Sequence, residues 1–522
     1  MSPSPHDGSS FTDGTMWALI ERRARETPDD LMAVDESGRR ISFGDYHRAA
    51  ERTAAGLSAL GVAEGVGVSW QLPTWIESLV LVAALSRLGA VQNPVLPIYR
   101  DRELRFMTAQ TGARLLVVPP VWRGFDFQAM AASIAADRDD LEVLVVDRAL
   151  PDADPSLLPP PAPVPGSPAA LPTAWVFYTS GTTADPKGAR HTDATIAAAA
   201  VAMNVALDLA PEDRSALVFP FTHIGGITWL FSSLMTGAAN VCVERFDPTE
   251  TIEVLSREDV TLAGSGTPFH LAYLDAQRRQ PGKPIFPLVR AFPGGGAPKP
   301  PQLHYDLKAE LGGVGIVSGY GLTECPILSM AAVGDPDDKL ANTEGRASPG
   351  VQLEVVSTDG VPVGTGQEGE LRVKGPQLFR GYVDASLDAE ALDEHGFFRT
   401  GDLGVVDEEG FVAITGRLKD VIIRKGENIS AKEVEDLLYQ HPKVADVAVI
   451  GLPDPALGER CCAVVAAKEG SEPLELGEIV AFLTGQGLAI QKAPEQLELI
   501  DVVPRNPTGK TLKHELRQRL SS

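Results

Sequence analysis

The chain has 522 residues, with 46 Lys plus Arg set against 70 Asp plus Glu, a formal charge of -24 at pH 7. That balance excludes a polyanion-binding surface, which needs a basic stripe to displace counterions, so no nucleic-acid partner is expected. A hydrophobic fraction of 44% and a charged fraction of 22% exclude disorder and fibre, while the length calls for several packed units.

Residues 1–10 are polar, and no apolar h-region follows them, so no signal peptide is expected. Short apolar runs then alternate with Ala-rich periodic stretches. Val68 to Leu72 reads as a strand, Trp75 to Leu88 as a helix and Ala90 to Asn93 as a strand. Thr111 to Val118, interrupted by Arg114, and Val143 to Val146 continue the pattern, which predicts α/β architecture with mainly parallel, buried sheets. Pro151 to Pro172 reads as a surface connection without elements. Ala174 to Tyr178 is a strand candidate that runs directly into a Gly/Thr/Ser loop. Ala194 to Leu207 is uncharged and helical in pattern but too short for a bilayer, which takes ~20 residues, so no membrane insertion is expected.

From Gly345 the texture turns β-rich, with strands predicted at Val351 to Val356, Gly369 to Lys374 and Phe411 to Thr415. After Gly416-Arg417-Leu418-Lys419-Asp420 an alternating unit begins. Its predicted elements are a helix over Ala431 to Gln440, strands over Val444 to Ile450 and Arg460 to Val465, and a helix over Leu476 to Gly487. The expected fold is therefore a large N-terminal α/β domain of stacked subdomains plus a β-rich subdomain, residues 1–418. A small α+β C-terminal domain would span residues 419–522. Cys242, Cys325, Cys461 and Cys462 have neither a disulfide framework nor metal spacing, and read as free core thiols of a cytoplasmic protein. Ser521-Ser522 is neither a peroxisomal address nor a lipidation signal.

The loop Thr179-Ser180-Gly181-Thr182-Thr183-Ala184-Asp185-Pro186-Lys187-Gly188 has what an anion needs: Gly that lets amides converge, donating hydroxyls, and a Lys. It is not a Walker A loop, because Pro186-Lys187-Gly188 stands where Gly-Lys-Ser/Thr would be required, and no GxGxxG follows a strand. Gly294-Gly295-Gly296-Ala297-Pro298 follows an apolar strand candidate. In Tyr320-Gly321-Leu322-Thr323-Glu324 the aromatic can cover a purine face, the hydroxyl can donate to phosphate and the carboxylate can hold Mg²⁺. Arg399-Thr400-Gly401-Asp402 has the composition of a tight turn.

In the order and spacing of these motifs, from about residue 15 to 515, the chain resembles the adenylate-forming superfamily of acyl-CoA synthetases, luciferases and peptide-synthetase adenylation domains. Its Ala184-Asp185-Pro186-Lys187-Gly188 form is most similar to ligases acting on cyclohexanecarboxylate-like acids. The resemblance implies that Thr179, Ser180, Gly181, Thr182, Thr183 and Lys187 hold phosphate. It places Gly295, Gly296, Ala297, Pro298, Gly319, Tyr320 and Gly321 along the nucleotide and acyl group. It assigns Thr323 to phosphate, Glu324 to magnesium, and His223, in Phe221-Thr222-His223-Ile224-Gly225-Gly226, to the carboxylate. Asp402 would accept the ribose hydroxyls, with Arg417 contacting ribose or phosphate. Lys419 takes the hinge position of a mobile C-terminal domain, Lys425 and Gly426 border the pantetheine path, and Lys510, after Arg505-Asn506-Pro507-Thr508-Gly509, is the catalytic lysine. The implied activity is an AMP-forming acid–CoA ligase using ATP, Mg²⁺ and CoA on an alicyclic, aromatic or medium-chain acid. A half-reaction enzyme, with Ala184 replacing the usual Gly as its motive, a silent nucleotide sensor and a luciferase-like oxygenase are the rival expectations. Homodimerisation is left open.

Overall fold

The computed structural model describes residues 11, 13–179, 186–297, 299–357, 359–424, 427–455, 457–506 and 509–520. A six-stranded sheet runs Lys187–His191, Trp175–Thr179, Val91–Pro94, Gly67–Trp70, Leu115–Val118, Glu142–Val145. All its pairings are parallel except that between the first two. The central strands are buried on both faces, and Leu115–Val118 is buried at every position, as helices covering both sides of a parallel sheet require.

A second sheet runs Arg214–Leu217, Ala239–Cys242, Leu31–Asp35, Arg40–Ser42. Through Leu262, which bridges Ser215 and Ala291, it leads to a third, Phe292–Gly295, Ile316–Tyr320, Ser329–Met330, Arg346–Ala347. One core joins these sheets to helices Met16–Glu26, Phe43–Ala59, Ile76–Arg87, Asp193–Leu207 and Ile224–Thr236. Thr192 starts the Ala-rich helix by accepting from the Thr195 amide at 3.3 Å, a local hydrogen bond that satisfies an orphan donor. The β-rich subdomain is an antiparallel sheet, Gln352–Val356, Gly369–Lys374, Phe398–Val406, Val412–Arg417.

Three local expectations are corrected. Thr111 caps the helix Asp101–Gln110, so only Leu115–Val118 of that apolar segment is a strand. The Pro-rich connection carries two single 3₁₀ turns, Pro155–Leu157 and Pro168–Ala170. Arg399 to Asp402 is no turn but lies within strand Phe398–Val406. Its turn-like composition reflects Gly401 at φ +70° beside an irregular register.

A 3₁₀ turn, Leu418–Asp420, leads from Val412–Arg417 into strand Val421–Arg424 of the small C-terminal domain. There Val421–Arg424 pairs with Glu427–Ser430 and Gly458–Ala467, which in turn pairs with Val444–Asp454 and Gln496–Leu499. Alternation along the long hairpin feeds two cores. Val447, Val449 and Cys461 pack with Val434, Leu438 and Leu483, whereas Ala448, Ile450 and Cys462 pack with Val503 and Leu516. Adjacent cysteines thus point to opposite faces. All four cysteines are free and buried, and burial pushes the Cys462 thiol up to about 12.

The small domain is docked on the large one. A Cβ on Gly509 would stand 2.9 Å from Pro268 Cγ. Buried Lys299 donates to the Thr343 carbonyl at 2.7 Å and pairs with Glu344. Across the interface it feels the Lys432–Asp436 pair of the small domain. No helix among the described residues is long and apolar enough to cross a membrane.

Candidate active site

The carboxyl ends of parallel strands, where ligands settle in open α/β sheets, converge on one cleft. Thr179 lies opposite Lys187 in the antiparallel pair, so both ends of the expected phosphate loop are fixed side by side. Ser180, Gly181, Thr182, Thr183, Ala184, Pro298, Lys425 and Gly426 lie outside the described residues.

Gly295 and Gly319 face each other across parallel strands, and a Cβ on Gly295 would come within 2.8 Å of the Gly319 carbonyl. Gly296 follows at φ +74°, with open space where its Cβ would be. A backbone-lined wall results, which side chains would obstruct. Ala297 continues the turn. Gly321 is crowded differently, its Cβ position lying 2.4 Å from the Ile327 amide.

Tyr320, Asp402 and Arg417 form one network. The Tyr320 hydroxyl donates to Asp402 Oδ2 at 2.6 Å, and Arg417, directly opposite in register, pairs with Oδ1. Burial, then the Asp402 charge, holds Tyr320 protonated. Burial works against the Arg417 charge, but Asp402 outweighs it and raises the guanidinium pKa. Lys510 reaches the same network from the small domain. The residue is exposed, yet crowding, then Arg417, pulls its ammonium down to about 8 against the opposing pull of Asp402, Asp420 and Glu324. Its backbone is fixed by Asn506, whose Oδ1 accepts from the Lys510 amide at 2.9 Å.

Thr323 and Glu324 follow strand Ile316–Tyr320. The Tyr382 hydroxyl donates to Glu324 Oε1 at 2.6 Å, and the Phe379 amide donates to the Glu324 carbonyl at 2.8 Å. His191 donates from Nε2 to the Thr323 carbonyl at 2.8 Å, while its Nδ1 faces Thr195 Oγ1 at 2.9 Å. Burial lowers His191 to about 4, so the ring is neutral.

His223 caps helix Ile224–Thr236, its Nδ1 accepting from the Gly225 amide at 3.1 Å. Desolvation lowers it to about 4. A neutral imidazole that accepts at Nδ1 must carry its proton on Nε2, so the backbone itself selects a donor tautomer. Gly226 allows this cap, because a Cβ there would lie 2.4 Å from the Phe221 carbonyl. A small cavity with room for one water adjoins Val95, Tyr99, Tyr178, Thr222, His223 and Thr323. The buried Thr222 hydroxyl has no hydrogen-bond partner among the described residues. From the neutral state of His223 we expect turnover to show no inflection near pH 6.5. A rate profile from pH 5 to 7.5 checks this, and a one-proton acid limb that vanishes in His223→Asn would count against it.

The site thus gathers Lys510, His223, Thr323, Glu324, Asp402, Arg417, Tyr320 and the two ends of the expected phosphate loop. His191 and Tyr382 were not legible beforehand. Their partners lie 132 and 58 residues away.

Fold and site define an enzyme that handles a nucleotide between a large domain and a small docked one. Residues 20–383 match the family model described as AMP-binding enzyme, and residues 433–510 match that of the AMP-binding enzyme C-terminal domain. The chain belongs to this AMP-binding enzyme family. It is 33% identical over 518 residues to the medium-chain fatty-acid–CoA ligase of Escherichia coli (strain K12), covering 97% of this chain and 90% of that one. It is also 33% identical to the salicyl-AMP ligase / salicyl-S-ArCP synthetase of Mycobacterium tuberculosis, over 97% and 91%. ATP-bound MatB from Rhodopseudomonas palustris superposes at TM-score 0.85 with 28% identity over 97% and 99% of the two chains. Apo MatB gives 0.75 with 29% identity over the same shares.

Proposed function

We propose that the chain is an ATP-dependent acid–CoA ligase that activates an alicyclic, aromatic or medium-chain carboxylic acid as its acyl-adenylate and then transfers the acyl group to CoA. The observation that carries this reading is Lys510, brought by the small domain to within electrostatic reach of Asp402, Arg417 and Glu324 of the large one. The names of the relatives, which include fatty-acid, salicyl and coumarate ligases, support the substrate range. The better superposition on ATP-bound MatB supports an adenylating arrangement of the domains.

In the first step a carboxylate oxygen bonds to the α-phosphorus of ATP and the bond to pyrophosphate breaks. Charge spreads over the phosphoryl oxygens, so catalysis is positioning and electrostatic stabilisation. Lys510 and the Nε2–H of His223 would meet the negative oxygens, Thr179, Thr323 and Lys187 the phosphates, Asp402 the ribose hydroxyls, and the wall from Gly295 to Ala297 with Gly319 to Gly321 the base and acyl group. Mg²⁺ fits Glu324: Tyr382 engages Oε1, and this ion needs only one or two carboxylates besides phosphate and water. When bound, it neutralises the charge of the phosphates. In the second step the CoA thiol attacks the acyl carbonyl and AMP leaves. Lys510 must then withdraw, for which a hinge at Lys419, in the turn Leu418–Asp420, between domains 1–418 and 419–522 would serve.

Pyrophosphate release measured over a panel of acids, with and without CoA, tests the reading. We expect release that depends on the acid and that CoA accelerates into multiple turnovers. Release indifferent to CoA would point to a half-reaction enzyme, and ATP binding without release for any acid to a sensor.

A further inference from the structure

The segment 379–383 touches both Glu324 and the strand that carries Lys187. Its Phe379 amide and Tyr382 hydroxyl grip Glu324 at both ends, carbonyl and carboxylate. It also lies along strand Lys187–His191: the Arg380 amide donates to the Arg190 carbonyl at 2.7 Å, the Val383 amide donates to the Gly188 carbonyl at 2.8 Å, and Tyr382 opposes Ala189. The Lys187 ammonium stands 5.5 Å over the Tyr382 ring, inside the range at which a ring face attracts a cation.

Tyr382 is itself immobilised. It is 2% exposed, its amide donates to Asp388 Oδ1 at 2.8 Å, and its ring packs edge-on against Phe379 at 4.8 Å. Among the described residues no group of three or more His, Cys, Asp or Glu could hold a metal. A metal taken by Glu324 would draw on it together with phosphate and water, and an unrestrained Glu would lose its rotamer freedom each time it bound. A fixed phenol on Oε1 removes that loss beforehand.

We propose that Tyr382 is the positioning residue of the phosphate site. Its hydroxyl sets the Glu324 carboxylate in the orientation that takes Mg²⁺, and its ring face seats the Lys187 ammonium. One side chain thereby fixes the relative placement of the two cations that flank the triphosphate. The proposal rests on the reading that Glu324 takes the metal and Lys187 the phosphate.

The test uses the full-length protein with ATP and no acid, so that nothing turns over, and Mn²⁺ as a spectroscopic probe of the metal site. Tyr382→Phe keeps the ring and removes the donor. We expect Mn²⁺ to bind about tenfold more weakly, the loss of one hydrogen bond to a charged group, while metal-free ATP binding and the melting temperature stay near wild type. Glu324→Gln should weaken Mn²⁺ at least as much, and adding Tyr382→Phe to it should cost nothing further. The KM for MgATP should rise with Tyr382→Phe, and thioester formation from supplied acyl-adenylate should stay within about twofold, since the metal has no part there. Glu324→Gln binding Mn²⁺ as wild type does would overturn the metal assignment on which the proposal stands. Weak Mn²⁺ binding in Glu324→Gln beside unchanged binding in Tyr382→Phe would overturn the role of Tyr382 alone, as would additive losses in the double variant. Should Tyr382→Phe not fold, difluorotyrosine at 382, which keeps the hydroxyl and ring in place but changes the acidity of the donor, replaces it. Unchanged Mn²⁺ affinity there would equally overturn the proposal.

Discussion

Lys510→Ala is expected to lower acid-dependent pyrophosphate release by roughly 10²–10³-fold, the usual cost of removing one donor aimed at transition-state charge. Thioester formation from supplied acyl-adenylate should remain largely intact. The asymmetry follows from position. Lys510 is carried by the small domain, and its contacts to the large domain are electrostatic ones with Arg417, Asp402 and Glu324, so it has no other work once pyrophosphate has left. Stopped assays of the two half-reactions check this, and equal losses in both would contradict the division of labour. A pH signature should accompany it. The Lys510 ammonium, lowered to about 8, is charged at pH 7 and neutral above its pKa, so kcat/KM for ATP should fall as pH rises through about 8. Bound phosphate favours the charged form, so the fall in kcat should lie at higher pH. Lys510→Arg, charged throughout, should lack the alkaline limb of kcat/KM whatever its absolute rate.

The frame of the molecule was legible because its strands are short apolar runs bounded by turn residues. Leu115–Val118, Trp175–Thr179 and the hairpin strands of the C-terminal domain lie where hydrophobic pattern places them. The pairs that give the site its chemistry were not legible, because periodicity has no term for partners far apart in the chain. His191 supports Thr323 from 132 residues away, and Tyr382 holds Glu324 from 58. The donor tautomer of His223 is invisible for another reason: it is set by a backbone amide, that of Gly225, and by a helix start that forms only once Gly226 has let the chain approach Phe221. Asp402 shows local composition misleading in the opposite sense. Arg-Thr-Gly-Asp favours a turn, but pairing on both sides with Gly369–Lys374 and Val412–Arg417 keeps it a strand, with the positive φ at Gly401 absorbed as an irregularity. Tertiary pairing overrode local preference there, as it commonly does in β-structure.

Asp402→Asn should raise the KM for ATP about a hundredfold, with the KM for the acid little changed. Two hydrogen bonds to a charged acceptor, each of about 1.5 kcal/mol at the low end, account for that factor. Asparagine cannot stand in for the carboxylate. Arg417 donates to Oδ1 from Nε and to Oδ2 from Nη2 at 3.4 Å, and Tyr320 donates to Oδ2 as well, so its amide nitrogen must confront the guanidinium whichever way it is turned. Stability should fall by about 1–3 kcal/mol, less than the ~3–5 kcal/mol for breaking a fully buried pair, because the Arg417 side chain is 35% exposed and water recovers part of its charge. A second consequence separates this from simple loss of an ATP contact. Asp402 raises the Lys510 pKa and Arg417 lowers it, so neutralising Asp402 leaves Lys510 facing an uncompensated guanidinium. The alkaline limb of kcat/KM for ATP should therefore move below about 8 in Asp402→Asn, and the double variant with Lys510→Arg should show no such limb. If the KM for ATP stays within about threefold of wild type and the limb does not move, Asp402 neither holds the ribose nor tunes the lysine.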